Sequence, residues 1–251
     1  YIGIDKTKPT VDNFEFTDYE TSDETGIYAS DNIKVTVTAS DKDSTITNSG
    51  VSKIQLLVNG NAYGEAVAVN SSNSATFTLK KGDFDNAKTV SAYAIDKAGN
   101  NSDVKAPTDV TTEYTSNKAT ISTTEASVTV TNQTDGKYTD ADNKDWYNGD
   151  ALFTIAIDSN HSGVAIKKIE LKLNGTDITA DSQGNAINEG LSSTKTFSIN
   201  TNQDGTLKTG ANTITGRVTL KNGKKTNING TLYIDAVKPD ITNFEFTSKG
   251  T

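Results

Sequence analysis

Apolar and polar residues alternate along much of the chain. Ile33, Val35, Val37 and Ala39 are spaced by Lys34, Thr36 and Thr38, and Ala75, Phe77 and Leu79 by Thr76 and Thr78. The same period of two runs through Ile54, Leu56 and Val58, through Val90, Ala92 and Ala94, and through Phe153, Ile155 and Ile157. It returns in Ile169, Leu171 and Leu173, in Phe197 and Ile199, and in Ile214, Gly216, Val218 and Leu220. A strand sends successive side chains to opposite faces, so each run predicts a strand with one apolar face. Sheets of this kind bury that face by packing on one another. No stretch carries an apolar stripe at i, i+3, i+4 spacing, and no long helix is predicted.

Turn signals separate the runs. Asn59-Gly60, Asn174-Gly175, Asn222-Gly223 and Asn229-Gly230 suit turns with positive φ, many of them hairpins. Asp204-Gly205, Asp135-Gly136 and Gly99-Asn100 are weaker marks of the same kind.

The pattern recurs on a longer scale. The segment from Ile4-Asp5 through Pro9 to Phe14-Glu15-Phe16-Thr17 returns as Ile234-Asp235 through Pro239 to Phe244-Glu245-Phe246-Thr247, an offset of 244 − 14 = 230. Half of that, 115, separates Ile54 from Ile169, each opening a run that ends in Asn-Gly. Ser49-Gly50-Val51 matches Ser162-Gly163-Val164, and Ile27-Tyr28-Ala29-Ser30-Asp31 is set against Trp146-Tyr147-Asn148-Gly149-Asp150. In the middle copy Ala126–Thr131 stands in for the first strand. The expected organisation is one repeat over 6–117 and a second over 118–237. Residues 238–251 are expected to begin a further repeat, and 1–5 to end a preceding one. Pro9, Pro107 and Pro239 fall near these edges, where the missing N–H is tolerated. A period of this length suits separate sandwiches better than the short coils of a solenoid.

Composition narrows the chemistry. With 24 basic and 32 acidic residues the net charge is −8, which disfavours nucleic acid and anionic membranes as partners. There is no Cys and no Met, so disulfides, thiolate metal sites and cysteine nucleophiles are excluded. The missing Met at position 1 reads as a piece excised from a longer protein. No run is long and apolar enough to predict a membrane span. The lean towards Lys, Asn, Thr, Ile and Asp points to a low-GC bacterium.

Four stretches carry a resemblance. They are the entry segment Ile4-Asp5 to Phe16, Trp146-Tyr147-Asn148-Gly149-Asp150 running to Ile155, Ser162-Gly163-Val164, and Tyr93-Ala94-Ile95-Asp96-Lys97-Ala98-Gly99-Asn100. Through them the chain resembles the bacterial immunoglobulin-like (Big-type) repeats found in tandem in surface and secreted proteins of Gram-positive bacteria. The resemblance implies an all-β chain of tandem immunoglobulin-like antiparallel β-sandwiches, each of about seven strands. It also implies an extracellular, cell-surface or cell-wall location. Lys221-Asn222-Gly223-Lys224 departs from Lys97-Ala98-Gly99-Asn100 at the corresponding hairpin.

Candidate chemistry is sparse. His161 is the only imidazole, and its Ser and Asp neighbours lie in one short loop, where they cannot converge as a triad needs. It reads as a surface-loop residue. Asp140, Asp142 and Asp145 form a candidate structural Ca²⁺ loop, although Lys144 breaks the EF-hand pattern. Asp41 and Asp43 form a second, weaker candidate. Trp146 and Tyr147 are a candidate sugar-stacking platform, but setting Trp146 against Ile27 favours packing. No acid is evident at an apolar-facing strand position, which argues against intramolecular Lys–Asn isopeptide links.

The expected function is a non-catalytic spacer or stalk of an adhesin-type surface protein, without a cofactor unless calcium. Its expected partners are the neighbouring repeats, with a host protein or glycan as the alternative. A monomer is expected, with no nucleic acid and no membrane insertion. Two further readings are a ligand-binding module and an accessory segment of a large secreted carbohydrate-active enzyme.

Overall fold

A computed structural model describes residues 4–42, 48–161, 163–203, 208–243 and 245. Asp43, Ser162, the Asp204-Gly205 turn, Phe244 and Phe246 lie outside the described residues. The described chain is almost entirely β. Its strands are β1 (Thr10–Thr17), β2 (Thr21–Asp23), β3 (Gly26–Ala29), β4 (Ile33–Ser40) and β5 (Val51–Val58). They continue with β6 (Asn61–Ala62), β7 (Val67–Ala68), β8 (Ser74–Leu79), β9 (Lys88–Asp96) and β10 (Lys118–Ile121). After these come β11 (Ser127–Asn132), β12 (Lys137–Thr139), β13 (Asp145–Tyr147), β14 (Leu152–Asp158) and β15 (Ile166–Leu173). The last are β16 (Thr176–Ile178), β17 (Thr194–Asn200), β18 (Gly210–Leu220) and β19 (Lys225–Ile234). One short helix, α1 (Pro107–Val110), interrupts them.

Four sheets form, two in each half of the chain. The first half pairs a sheet of order β1-β4-β8 with one of order β2-β3-β10-β9-β5-β6, where β7 also joins β5. The second half repeats the plan as β11-β14-β17 and β12-β13-β19-β18-β15-β16. Alternation builds a separate core in each half. Ile33, Val35, Val37 and Ala39 of β4 point inward together with Phe14, Phe16, Ile54, Leu56 and Phe77. Phe153, Ile155 and Ile157 of β14 do the same with Ile169, Leu171, Phe197 and Val218. Each Val, Leu, Ile or Phe side chain so withdrawn from water contributes about 1.5–3 kcal/mol. The halves are called unit 1 and unit 2 below; β10, at 118–121, pairs with β3 and β9 and so belongs to unit 1, not to the second repeat expected over 118–237.

Each unit departs from a purely antiparallel sandwich at one place. β3 runs parallel to β10, and β13 parallel to β19. The chain enters each unit in the small sheet and then crosses over, so its second segment lies beside the departing strand and points the same way.

Asn59 and Gly60 both take positive φ, as do Asn174 and Gly175, and each pair closes a two-residue hairpin. Asn229-Gly230, expected to turn, lies inside β19. Gly230 serves close packing there: a Cβ on it would meet Val130 Cγ1 at 2.6 Å, so β11 could not lie so near.

The units also differ. In unit 2 the last two strands are joined by the short hairpin Lys221-Asn222-Gly223-Lys224. In unit 1 the stretch from Lys97 to Asn117 separates β9 from β10 and contains α1 and the buried Tyr114. The Tyr114 hydroxyl accepts the Phe16 N–H at 2.9 Å, and its ring packs edge-on to Phe16. Burial pushes the Tyr114 phenol up to about 12.

Candidate functional site

Asp140, Asp142 and Asp145 lie on and beside the β12–β13 hairpin. Their carboxylates are taken up by nearby donors. Asp140 Oδ1 accepts the N–H groups of Asp142 and Lys144, both at 2.9 Å, and Oδ2 accepts the Trp146 indole N–H at 2.8 Å. These bonds hold the Asp140 carboxyl below its ordinary value, the Lys144 N–H contributing most. Asp142 pairs with Lys144 at 3.1 Å. Asp145 accepts the Thr139 hydroxyl at 2.8 Å and pairs with Lys137 at 3.2 Å. The Thr139 bond is the largest cause of its lowered pKa.

Trp146 is half-buried, and its ring lies 5.0 Å from that of Tyr233. Its strand partner is Tyr233, as that of Tyr28 is Thr120. The next pairs, Tyr147 with Ile234 and Ala29 with Ile121, fix the register. Trp146 therefore corresponds to Tyr28 and not to the core residue Ile27. One residue of slip moves a side chain to the other face of its strand. Tyr147 takes the inward place: it is buried, and its hydroxyl donates to the Gln133 carbonyl at 2.5 Å. An open cleft of about 470 Å³ is lined by Tyr138, Trp146, Asn148 and Asp235, among others. Tyr138, which the sequence reading did not single out, is 69% exposed on its rim. Only its pairing opposite Trp146 marks it.

His161 sits in the loop after β14, where its Nδ1 accepts the Gly163 N–H at 3.1 Å.

The corresponding face of unit 1 meets unit 2. Lys221 Nζ lies 2.7 Å from Asp23 Oδ2, donates to Thr25 Oγ1 at 2.8 Å, and sits 5.2 Å from the centre of the Tyr28 ring. Next to it, the fully buried Asn222 donates its amide N–H groups to the Ser122 and Thr124 carbonyls, at 2.7 and 3.0 Å. Gly223 turns the hairpin at φ +80° against Glu20. The Lys-Asn-Gly-Lys sequence that departs from unit 1 thus grips unit 1 through Lys221 and holds the segment that leads into unit 2 through Asn222.

A third feature lies at the other end of unit 1. Asp5, Asp41 and Asp96 bring carboxylate oxygens within 4.8 Å of one another, from the entering segment, the end of β4 and the end of β9. Asp41 and Asp96 are buried and continue the inward parity of Val35, Val37, Ala39 and of Val90, Ala92, Ala94. Acids do stand at apolar-facing positions, contrary to the sequence reading, because each lies just at or beyond the end of an apolar run. Burial raises the Asp41 pKa most, and the charges of Asp5 and Asp96 add to it.

No family model matches the chain, and no curated protein does. Among solved structures it is similar to the fibronectin(III)-like modules of Clostridium thermocellum CbhA, at 12% identity and a TM-score of 0.37, covering 87% of this chain and 93% of that one. It is similar to a 1.5-MDa bacterial ice-binding adhesin at 14% identity and a TM-score of 0.34, covering 91% and 65%. For the Yersinia pseudotuberculosis adhesin InvE the values are 14%, 0.32, 89% and 58%. The chain thus spans about two thirds or less of the two adhesin structures. At these TM-scores the likenesses carry no weight for function, and the fold stands on the strand pairing. Among the described residues no helix is long and apolar enough to cross a membrane.

Proposed function

We propose that the chain is a non-catalytic spacer of a bacterial surface protein of adhesin type, whose units hold other domains at a set distance. The joint at Lys221 and Asn222 supports this reading. A charged pair and a cation–π contact fix one unit on the next, a buried amide holds the segment that joins them, and a spacer depends on such a fixed joint. The net charge of −8 suits a soluble chain that repels its own copies. The resemblance to Big-type repeats supports an extracellular place, on a Gram-positive cell wall in the finer form of the proposal.

Spin labels on Thr76 in unit 1 and Lys195 in unit 2 test the joint. A narrow distance distribution is expected, broadened in the double variant Lys221→Ala with Asn222→Ala. A wild-type distribution already as broad as that of a flexible linker would overturn the reading.

A second reading, glycan binding, is favoured by one observation. Exposed Tyr138 and half-buried Trp146 flank a cleft that also presents Asn148 and Asp235. An apolar ring beside polar groups suits a sugar face. Titration with cell-wall and host oligosaccharides, followed at the indole of the single Trp, checks it. An unmoved signal across the panel rejects it.

A further inference from the structure

We propose that Asp5, Asp41 and Asp96 bind a divalent cation of the calcium type, which ties the segment entering unit 1 to the ends of β4 and β9. The inference stands apart from the spacer reading. Three carboxylates whose oxygens lie within 4.8 Å of one another fit around one ion, since calcium–oxygen distances are about 2.3–2.6 Å.

A second observation points to a ligand. Asp41 is only 8% exposed, and among the described residues its Oδ1 has no hydrogen-bond partner. Its other oxygen, Oδ2, accepts the Gly50 N–H at 2.7 Å. A buried carboxylate oxygen without a donor is costly unless a cation satisfies it. The other two acids are held in place by backbone. Asp5 accepts the N–H groups of Thr7 and Ser49, at 2.9 and 2.6 Å. Asp96 accepts the Asn100 backbone N–H at 2.8 Å and its side-chain amide at 2.7 Å. Each oxygen so engaged keeps a second lone pair for a metal.

The internal repeat supplies a control. Asp96 pairs with Val51 as Leu220 pairs with Ile166. Asp41 follows β4 as Ser159 follows β14, and both are buried. Ser122 stands five residues before β11 and Asp5 five residues before β1 (127 − 122 and 10 − 5). Unit 2 thus has Ser, Ser and Leu where unit 1 has three acids. All three acids are absent together, as members of one site would be.

Among the described residues none of the three acids forms an ion pair with a lysine or arginine. Lys97 is exposed, and its Nζ would lie 3.6 Å from a Cβ on Gly50. The donors are all hard oxygens drawn from three separate elements. Calcium accepts such an irregular set, whereas magnesium demands a near-octahedral one.

The test uses the whole chain, stripped with a chelator and isotope-labelled. Added CaCl₂ should move the amide signals of Ser49, Gly50 and Asn100 saturably, with half-saturation at about 0.1–1 mM, and raise the unfolding temperature. Asp41→Asn and Asp96→Asn should each lose both responses, and Asp140→Asn should keep them. If the Asp41 and Asp96 variants fail to fold, the wild-type titration decides alone. Three unmoved amides at about 10 mM calcium would overturn the site. A response that survives in both folded variants would do so too. An equal response to MgCl₂ would overturn the assignment to calcium.

Discussion

The two units enter their sandwiches by the same route and fasten that entrance differently. In unit 1 the entering segment meets acids: Asp5 lies beside Asp41 and Asp96, and Asn100 donates its amide to the Asp5 carbonyl at 3.1 Å. In unit 2 the segment is held by neutral groups, with Asn222 donating to the Ser122 and Thr124 carbonyls. A side-chain amide from the hairpin after the β9 or β18 strand caps the entering backbone in both. What differs is the ground beneath it. Among the described residues unit 2 leaves no buried side-chain nitrogen or oxygen without a partner, whereas unit 1 leaves Asp41 Oδ1 unpaired beside the carboxylates of Asp5 and Asp96. The same fold thus supports an entrance complete in itself and one that calls for an ion.

The largest effect should come from giving unit 1 the entrance of unit 2. The triple variant Asp5→Ser, Asp41→Ser and Asp96→Leu removes two buried carboxylates and their neighbour. Stability without a divalent ion should rise by about 1–4 kcal/mol, as when buried charges give way to neutral packing. Denaturant unfolding in chelator measures it, and a loss of stability would mean that the acids support unit 1 without an ion. Asn222→Ala should act in the opposite direction on the entrance of unit 2. It leaves two carbonyls without their donor and should cost about 1–3 kcal/mol. Protection of unit 2 amides from hydrogen exchange should fall, while the β5–β9 pairing of unit 1 keeps its protection.

A smaller effect concerns the opposite faces. In unit 1, Asp23 and Tyr28 are engaged by Lys221 of unit 2, whereas in unit 2 Asp145 and Trp146 are engaged by their own Lys137 and Asp140. The Asp140 and Asp145 carboxyls are both held below their ordinary value in the fold. Their contribution is therefore present above the ordinary Asp range, near pH 4, and is lost as pH falls through the lowered folded values. Trp146 fluorescence should change over that acid range before unit 2 unfolds. Asp140→Asn should weaken that change.

Much of this was legible in the sequence because period two is a direct image of a strand's two faces. Asn59-Gly60 and Asn174-Gly175 announced their hairpins, since few other pairs accept two positive φ values. Asn229-Gly230 misled for a physical reason: glycine also marks places where backbones crowd, and no local signal tells the two uses apart. Trp146 was misplaced because a gap in a loop shifts the register by one, and parity then reverses. The acid cluster joins residues 36 and 55 positions apart (41 − 5 and 96 − 41), which only the topology brings together. Its trace in the sequence was parity again: Asp41 and Asp96 extend two apolar alternations by one more inward step.

Alternation has a further consequence for a string of such units. The letters that fill the interior and those that line each seam occupy separate places, so evolution can rewrite a seam while leaving the interior untouched. Neighbouring copies with interchangeable hearts can then carry hinges of different temper, one set by the salts of the medium and the next indifferent to them. Stiffness becomes a property written link by link along the thread.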